Sequence, residues 1–252
     1  MTSRPAKIRL DQALVDRGLA PTRAAAQRLV MAGLVFAGDR RLDKPGHAIA
    51  FETSLEVRGQ LHPYVSRGGL KLEKGLDHFA IPVAGRIALD VGASTGGFTD
   101  LLLQRGAAKV YAIDVGTNQL AWKLRSDPRV VSMEKTNIRD VTHEHVPEPI
   151  DLIVCDASFI GLRTALPAAL ALAAPGAHLV ALIKPQFEVG KGRVGKGGIV
   201  RDPELHAEVC ATIEAWLAAQ AGWRVLGVAD SPIEGAGGNK EFLIAGLFSP
   251  TR

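Results

Sequence analysis

Residues 90–100 read Asp90-Val91-Gly92-Ala93-Ser94-Thr95-Gly96-Gly97-Phe98-Thr99-Asp100. An apolar run, Ile87-Ala88-Leu89, precedes the acid, and a helix-like segment from Phe98 to Gln104 follows the glycines. A strand, a glycine turn and a helix start, in that order, make a nucleotide-type pocket. Glycine lets the backbone approach a ligand closely, and a helix N-terminus offers free N–H groups. The spacing is not Gly-x-Gly-x-x-Gly, and Asp90 stands two residues before the first glycine. This argues against a dinucleotide pyrophosphate and for a ligand with a neutral or positive centre beside a carboxylate. The sulfonium of S-adenosylmethionine fits. Asp90, Gly92, Ala93, Ser94, Gly96, Gly97 and Phe98 are the residues expected to hold it.

Working outward, apolar and helical segments alternate. Strands are predicted at 87–91, 109–113, 129–132, 150–155, 177–183, 224–230 and 241–247, and helices at 67–79, 98–105, 117–125, 162–173 and 203–220. Leu152-Ile153-Val154-Cys155 is apolar on both faces, as in a parallel sheet covered on both sides. The expected fold is α/β, a doubly wound Rossmann-like domain of the class I methyltransferase type over 66–252. Its ligands belong at the carboxyl ends of the strands.

Those strand ends carry the chemistry. Asp114 closes the second strand, where an acid can take two ribose hydroxyls. Asn137 and Ile138 follow the third, where an adenine edge would lie, although Asn-x-x-Asp is also ordinary turn chemistry. Asp156 closes the fourth strand and Lys184 the fifth. Desolvation and a nearby positive charge favour a neutral, proton-accepting lysine, whereas a nearby carboxylate favours the charged form. Asp156 therefore reads as an orienter of Lys184 rather than its activator. Lys71 lies on the helix before the first strand and Glu241 opens the last; alone, each reads as a surface charge.

The net charge is +4, and all of the excess lies in the first 60 residues, with 10 Lys/Arg against 6 Asp/Glu. A basic module on a neutral domain suggests an anionic polymer as partner. Residues 1–58 read as a small α+β module. Its helices run from Leu10 to Gly18 and, after an N-cap at Thr22, from Ala24 to Met31. Short strands follow at 34–36, 48–51 and 55–57. Arg9, Arg17, Arg23, Gln27 and Arg28 punctuate the helices and are the expected RNA contacts. Residues 59–65, with Pro63, read as a linker. Residues 184–201 form a glycine-rich loop whose Lys191, Arg193 and Lys196 suit a phosphate-seeking flap. Cys155 and Cys210 match no zinc or redox spacing, and His143-Glu144-His145 has no further ligands nearby, so no metal is expected. The cysteines read as thiols in a reducing cytoplasm, the polar N-terminus shows no signal peptide, and the Ala165–Ile183 stretch is too interrupted to span a membrane.

Two resemblances sharpen this. Arg9-Leu10-Asp11, Arg17-Gly18-Leu19, Thr22-Arg23, Ala26-Gln27-Arg28-Leu29 and Ala32-Gly33-Leu34-Val35 resemble the S4-type RNA-binding domain. Lys71, Asp156, Lys184 and Glu241 together resemble the Lys-Asp-Lys-Glu tetrad of ribose 2′-O-methyltransferases of the FtsJ/RrmJ type. With Ser66-Arg67-Gly68, Asp156-Ala157-Ser158-Phe159-Ile160, Lys184-Pro185-Gln186-Phe187-Glu188 and Gly238-Asn239-Lys240-Glu241-Phe242, the chain is similar to the TlyA family. Its members are often labelled haemolysins and are known as rRNA cytidine-2′-O-methyltransferases. The resemblance implies S-adenosylmethionine as cofactor, the tetrad as catalytic residues, Arg67 among the RNA contacts and ribosomal RNA as partner. A monomer is expected. The rivals are a membrane-active haemolysin, a non-catalytic ribosome-binding factor and a base methyltransferase. The last normally uses an Asn/Asp-Pro-Pro-aromatic loop, of which Asp156-Ala157-Ser158-Phe159 is a distant echo.

Overall fold

The apolar strands pair into one seven-stranded sheet in the computed structural model, which describes residues 7–58, 62–190 and 192–250. The chain divides into two units, Met1–Pro63 and Tyr64–Arg252. The second unit holds this sheet. Its strands are β6 (Ile87–Val91), β7 (Lys109–Ile113), β8 (Val130–Met133), β9 (Ile150–Cys155), β10 (Ala173–Ile183), β11 (Trp223–Asp230) and β12 (Phe242–Phe248). Their spatial order is β11-β12-β10-β9-β6-β7-β8.

From β10 to β8 all pairings are parallel, whereas β12 runs antiparallel to both β10 and β11. The sheet is thus mixed, where apolar strands alone suggested a parallel one. The return from β11 to β12 carries no α-helical crossover, and a parallel pair requires a crossover. Helices α3 (Gly68–His78) and α4 (Gly97–Gln104) bury Leu72, Leu76, Leu101 and Leu102 on one face. Helices α6 (Leu162–Ala171) and α8 (Pro203–Ala218) bury Leu162, Leu166, Ile213 and Leu217 on the other. Along β9, Leu152 and Val154 join the first cluster and Ile153 and Cys155 the second, as the two-residue strand period requires.

Three local expectations change. The helix predicted over 117–125 is only α5, Trp122–Arg125. Asn118 takes a positive φ of 55°, and the Glu134 carboxylate accepts the N–H groups of Asn118 and Gln119, so the segment turns before it can coil. Strand β10 starts at Ala173, pairs there with Ile150, and resumes its register at His178 beyond the Pro175-Gly176 interruption. Tyr64 and Val65, expected in the linker, belong to the second unit. The buried Tyr64 hydroxyl donates to Glu73 at 2.5 Å, and the Val65 N–H donates to Asp100 at 2.7 Å.

The first unit contains β1 (Lys7–Arg9), α1 (Leu10–Asp16), α2 (Arg23–Met31), β2 (Val35–Ala37), β3 (Arg40–Arg41), β4 (Ala48–Ala50) and β5 (Glu56–Val57). Thr22 caps α2, its Oγ1 accepting the Ala25 N–H at 3.2 Å. Leu10, Leu14, Leu29, Val30 and Val35 form a separate core. Among the described residues, no helix is long and apolar enough to cross a membrane.

Candidate active site

Strand order reverses between β6 and β9, and the loop from Gly92 to Gly97 rises at that switch point. Gly92 has φ +84°, and a Cβ there would lie 2.9 Å from the Ala157 backbone. Only glycine lets the loops after β6 and β9 approach so closely. Two hollows flank the contact. One, about 560 Å3, contains Lys71, Asp156, Lys184 and Glu241. The other, about 460 Å3, contains Asp114, Asn137 and Ile138. They share Gly92, Ser94, Asp156, Ser158 and Phe159, so they form one trough along the carboxyl ends of the strands.

The four tetrad residues meet in alternating charge. Lys184 Nζ lies 2.6 Å from Asp156 Oδ1, Lys71 Nζ lies 3.9 Å from Asp156 Oδ2, and Lys71 Nζ donates to Glu241 Oε2 at 2.6 Å. Lys71, Lys184 and Glu241 are nearly sealed from solvent, and Asp156 keeps a partly open carboxylate on the trough. Lys184 also donates to the Asp156 carbonyl at 3.1 Å and to Ser158 Oγ at 2.9 Å.

The residues expected around the cofactor divide. Ala93, Ser94, Gly97 and Phe98 line the first hollow. Asp114 stands in the second, with Oδ2 accepting the Ser94 N–H at 2.8 Å and Oδ1 the Gly116 N–H at 2.7 Å. Its remaining lone pairs are open to hydroxyls. Asn137 lines the same hollow while its side chain accepts from the Arg139 backbone at 3.1 Å.

Two of them sit elsewhere. Gly96 is off the trough: it takes φ +95°, and a Cβ there would strike Leu120 and Leu124. Its role is to let Leu120 and Leu124 pack against the start of α4. Asp90 does not face the ligand space either. It is fully buried, accepts the Thr99 hydroxyl at 2.7 Å, and is pushed up to about 7 by burial, with Asp156 and Asp114 adding to the rise. The carboxylates that line the trough are Asp156, Asp114 and Glu241, the last of them paired with Lys71.

Several of the expected RNA contacts are already engaged. In the first unit, Arg9 and Arg23 ion-pair with the buried Asp11 at 2.9 and 3.0 Å, and Gln27 donates to it at 3.0 Å. The Arg9 fork, with Gln27 and Arg23, holds the Asp11 carboxyl well below the usual carboxylate range. Arg17 donates to the carbonyls of Phe51 and Thr53. Arg9 and Arg23 remain about half exposed, and Arg28 is exposed with no ion pair among the described residues. In the second unit, Arg67 is exposed on the trough and Lys196 on the glycine loop, but Arg193 forks onto Glu208 at 2.6 Å. Lys191 lies outside the described residues. No group of three metal-ligating side chains occurs among the described residues, and His145 instead faces Thr142.

Sequence reading passed over Ser66, Ser158, Gln186, Phe187 and Asn239 as site residues. Phe159 is 90% exposed with φ +66°, an exposure that no periodicity signals. Asn239 is buried and bridges the glycine loop, accepting the Val200 N–H and donating to the Gly198 carbonyl, both at 3.0 Å.

A mixed α/β sheet, a glycine loop at its switch point and a paired lysine–carboxylate array define a Rossmann-like methyltransferase. The chain belongs to the FtsJ-like methyltransferase family, which matches residues 64–248, and an S4 domain matches residues 8–53. It is 49% identical over 239 residues to the 16S/23S rRNA (cytidine-2′-O)-methyltransferase TlyA of Mycobacterium tuberculosis, covering 94% of this chain and 89% of that protein. It is 42% identical over 237 residues to Hemolysin A of Brachyspira hyodysenteriae, covering 94% of this chain and 98% of that protein. A solved Streptococcus thermophilus structure, provisionally described as a hemolysin, superposes with a TM-score of 0.75 at 47% identity. That match covers 98% of this chain and 90% of that one. The cofactor is S-adenosylmethionine, and the trough offers glycine backbone beside two partly open carboxylates, Asp114 and Asp156.

Proposed function

We propose that this chain methylates the 2′-hydroxyl of a cytidine ribose in ribosomal RNA. The observation that carries the proposal is the alternating Lys184–Asp156–Lys71–Glu241 array in the wall of the same trough as the glycine loop. Bound S-adenosylmethionine would supply a methyl group already activated by its sulfonium. The protein then has to align the ribose oxygen with that methyl and handle one proton. Lys184, held by Asp156, addresses the hydroxyl oxygen and its proton. Lys71 and Glu241 position the ribose. Phe159, tilted against Phe187 at a centroid distance of 5.3 Å, offers an exposed ring face to a base splayed from its helix. The S4 unit supplies phosphate contacts through Arg28 and the open sides of Arg9 and Arg23. This reading places the enzyme in the cytoplasm with the ribosomal subunits.

The test incubates the protein with labelled cofactor and separated ribosomal subunits, and maps the modified nucleotides by mass spectrometry. A 2′-O-methylcytidine is the expected product. Cofactor binding with no methyl transfer to either subunit would instead support a ribosome-binding factor, and methylation on a base would overturn the ribose assignment.

A further inference from the structure

Lys184 is 6% exposed, and its ammonium has three N–H donors. One donates to the Asp156 main-chain carbonyl at 3.1 Å and another to Ser158 Oγ at 2.9 Å, while Asp156 Oδ1 stands 2.6 Å away as the ion-pair partner. Ser158 is exposed and borders both hollows, whereas the nearly buried Lys184 lines only the first. Its place is tightly determined. Ala157 on one side packs under Gly92, and Phe159 on the other takes a left-handed backbone conformation. A serine hydroxyl that accepts from Nζ keeps one free lone pair and its own proton.

We propose that Ser158 orients the acceptor ribose: its Oγ accepts the hydrogen bond of the substrate 2′-OH, turning an oxygen lone pair toward the methyl group. The inference rests on the ribose-methylation reading. In this arrangement Lys184 acts on the substrate through Ser158 as well as directly, and the Lys184–Ser158 contact pre-sets the hydroxyl angle. A hydrogen bond made only in the aligned complex lowers kcat when removed and leaves cofactor affinity alone.

The experiment compares full-length wild type, Ser158→Ala and Ser158→Thr on ribosomal RNA, measuring kcat, KM and cofactor affinity by calorimetry. Ser158→Ala should lose roughly 10- to 100-fold in kcat, the range for one hydrogen bond in a network with a charged group, with cofactor affinity unchanged. Ser158→Thr, which keeps the hydroxyl, should recover most of the loss. A Ser158→Ala enzyme at wild-type kcat overturns the proposal. So does a parallel loss of cofactor affinity in both variants, which marks a purely structural serine. Product mapping on the wild type separates the two claims, because a product other than a 2′-O-methyl ribose removes the reading and this proposal with it.

Discussion

Lys71 Nζ and Glu241 Oε2 stand 2.6 Å apart across 170 residues of sequence, one on the first helix of the second unit and the other just before its last strand. The pair is nearly sealed from solvent. Removing two charges from water costs more than a simple contact returns, so such a pair is weak evidence for stability and better evidence for function.

That cost makes a stability prediction. Lys71→Met should destabilise the second unit by about 3–5 kcal/mol, because it leaves the buried Glu241 unpaired, and Glu241→Leu should cost less, because Lys71 keeps the Asp156 carboxylate at 3.9 Å. The double variant should regain most of that stability in urea unfolding and still fail to methylate. A double variant no more stable than either single one would contradict this account.

Lys184→Ala should reduce methyl transfer by about 100- to 10,000-fold, the span typical of a proton-handling group. Cofactor affinity should stay within a few-fold, since Asp114 and the glycine backbone are untouched. Methylation near the wild-type rate would remove Lys184 from the chemistry.

Asp90 gives a pH prediction. Burial raises its folded pKa to about 7 from an ordinary value of 3.8. The folded state therefore holds the proton more tightly than the unfolded chain. The stabilisation this supplies is complete below about pH 4 and is lost as pH rises through 7. Asp90→Asn should remove it, so the stability difference between the two proteins should vary across pH 4–7. A constant difference would show that the carboxyl is not held neutral.

Gly92→Ala should abolish cofactor binding and destabilise the fold. The added Cβ meets the Ala157 backbone at 2.9 Å, and φ +84° costs a non-glycine residue about 1–2 kcal/mol. Calorimetric titration with S-adenosylhomocysteine reads the loss, and wild-type affinity would contradict the close approach.

Arg28→Ala should weaken RNA binding evenly across sequences and lower the salt slope of log affinity by about 1. Filter binding at several salt concentrations checks this. An unchanged slope would mean that Arg28 touches no phosphate.

Much of the site was legible because its signals are local. Apolar runs ending in Asp114, Asp156 and Lys184 mark strand ends, and strand ends in α/β folds face ligands. What failed to read depended on partners. Asp90 has the same local signature as Asp156, yet Thr99 of α4 takes its carboxylate inside the core. Arg9, Arg23 and Arg193 look like free phosphate contacts until Asp11 and Glu208 are seen beside them. Ser158 and Asn239 fall inside motifs that carry the family resemblance, but nothing local gives them a role, since a serine or asparagine in a loop is ordinary.

The succession of strands and helices, the glycine turn and the strand-end positions of Asp114, Asp156 and Lys184 were legible in residues 66–252, because periodicity and glycine tolerance are properties of neighbouring residues, whereas Lys71 and Glu241 were legible only through resemblance to a known tetrad. Only the tertiary structure decided which charges meet. It set Lys71 against Glu241 and Lys184 against Asp156, turned β12 antiparallel, and withdrew Asp90 from the trough. A charge takes its partner from whichever element packs against it, and that choice is made across the whole sheet.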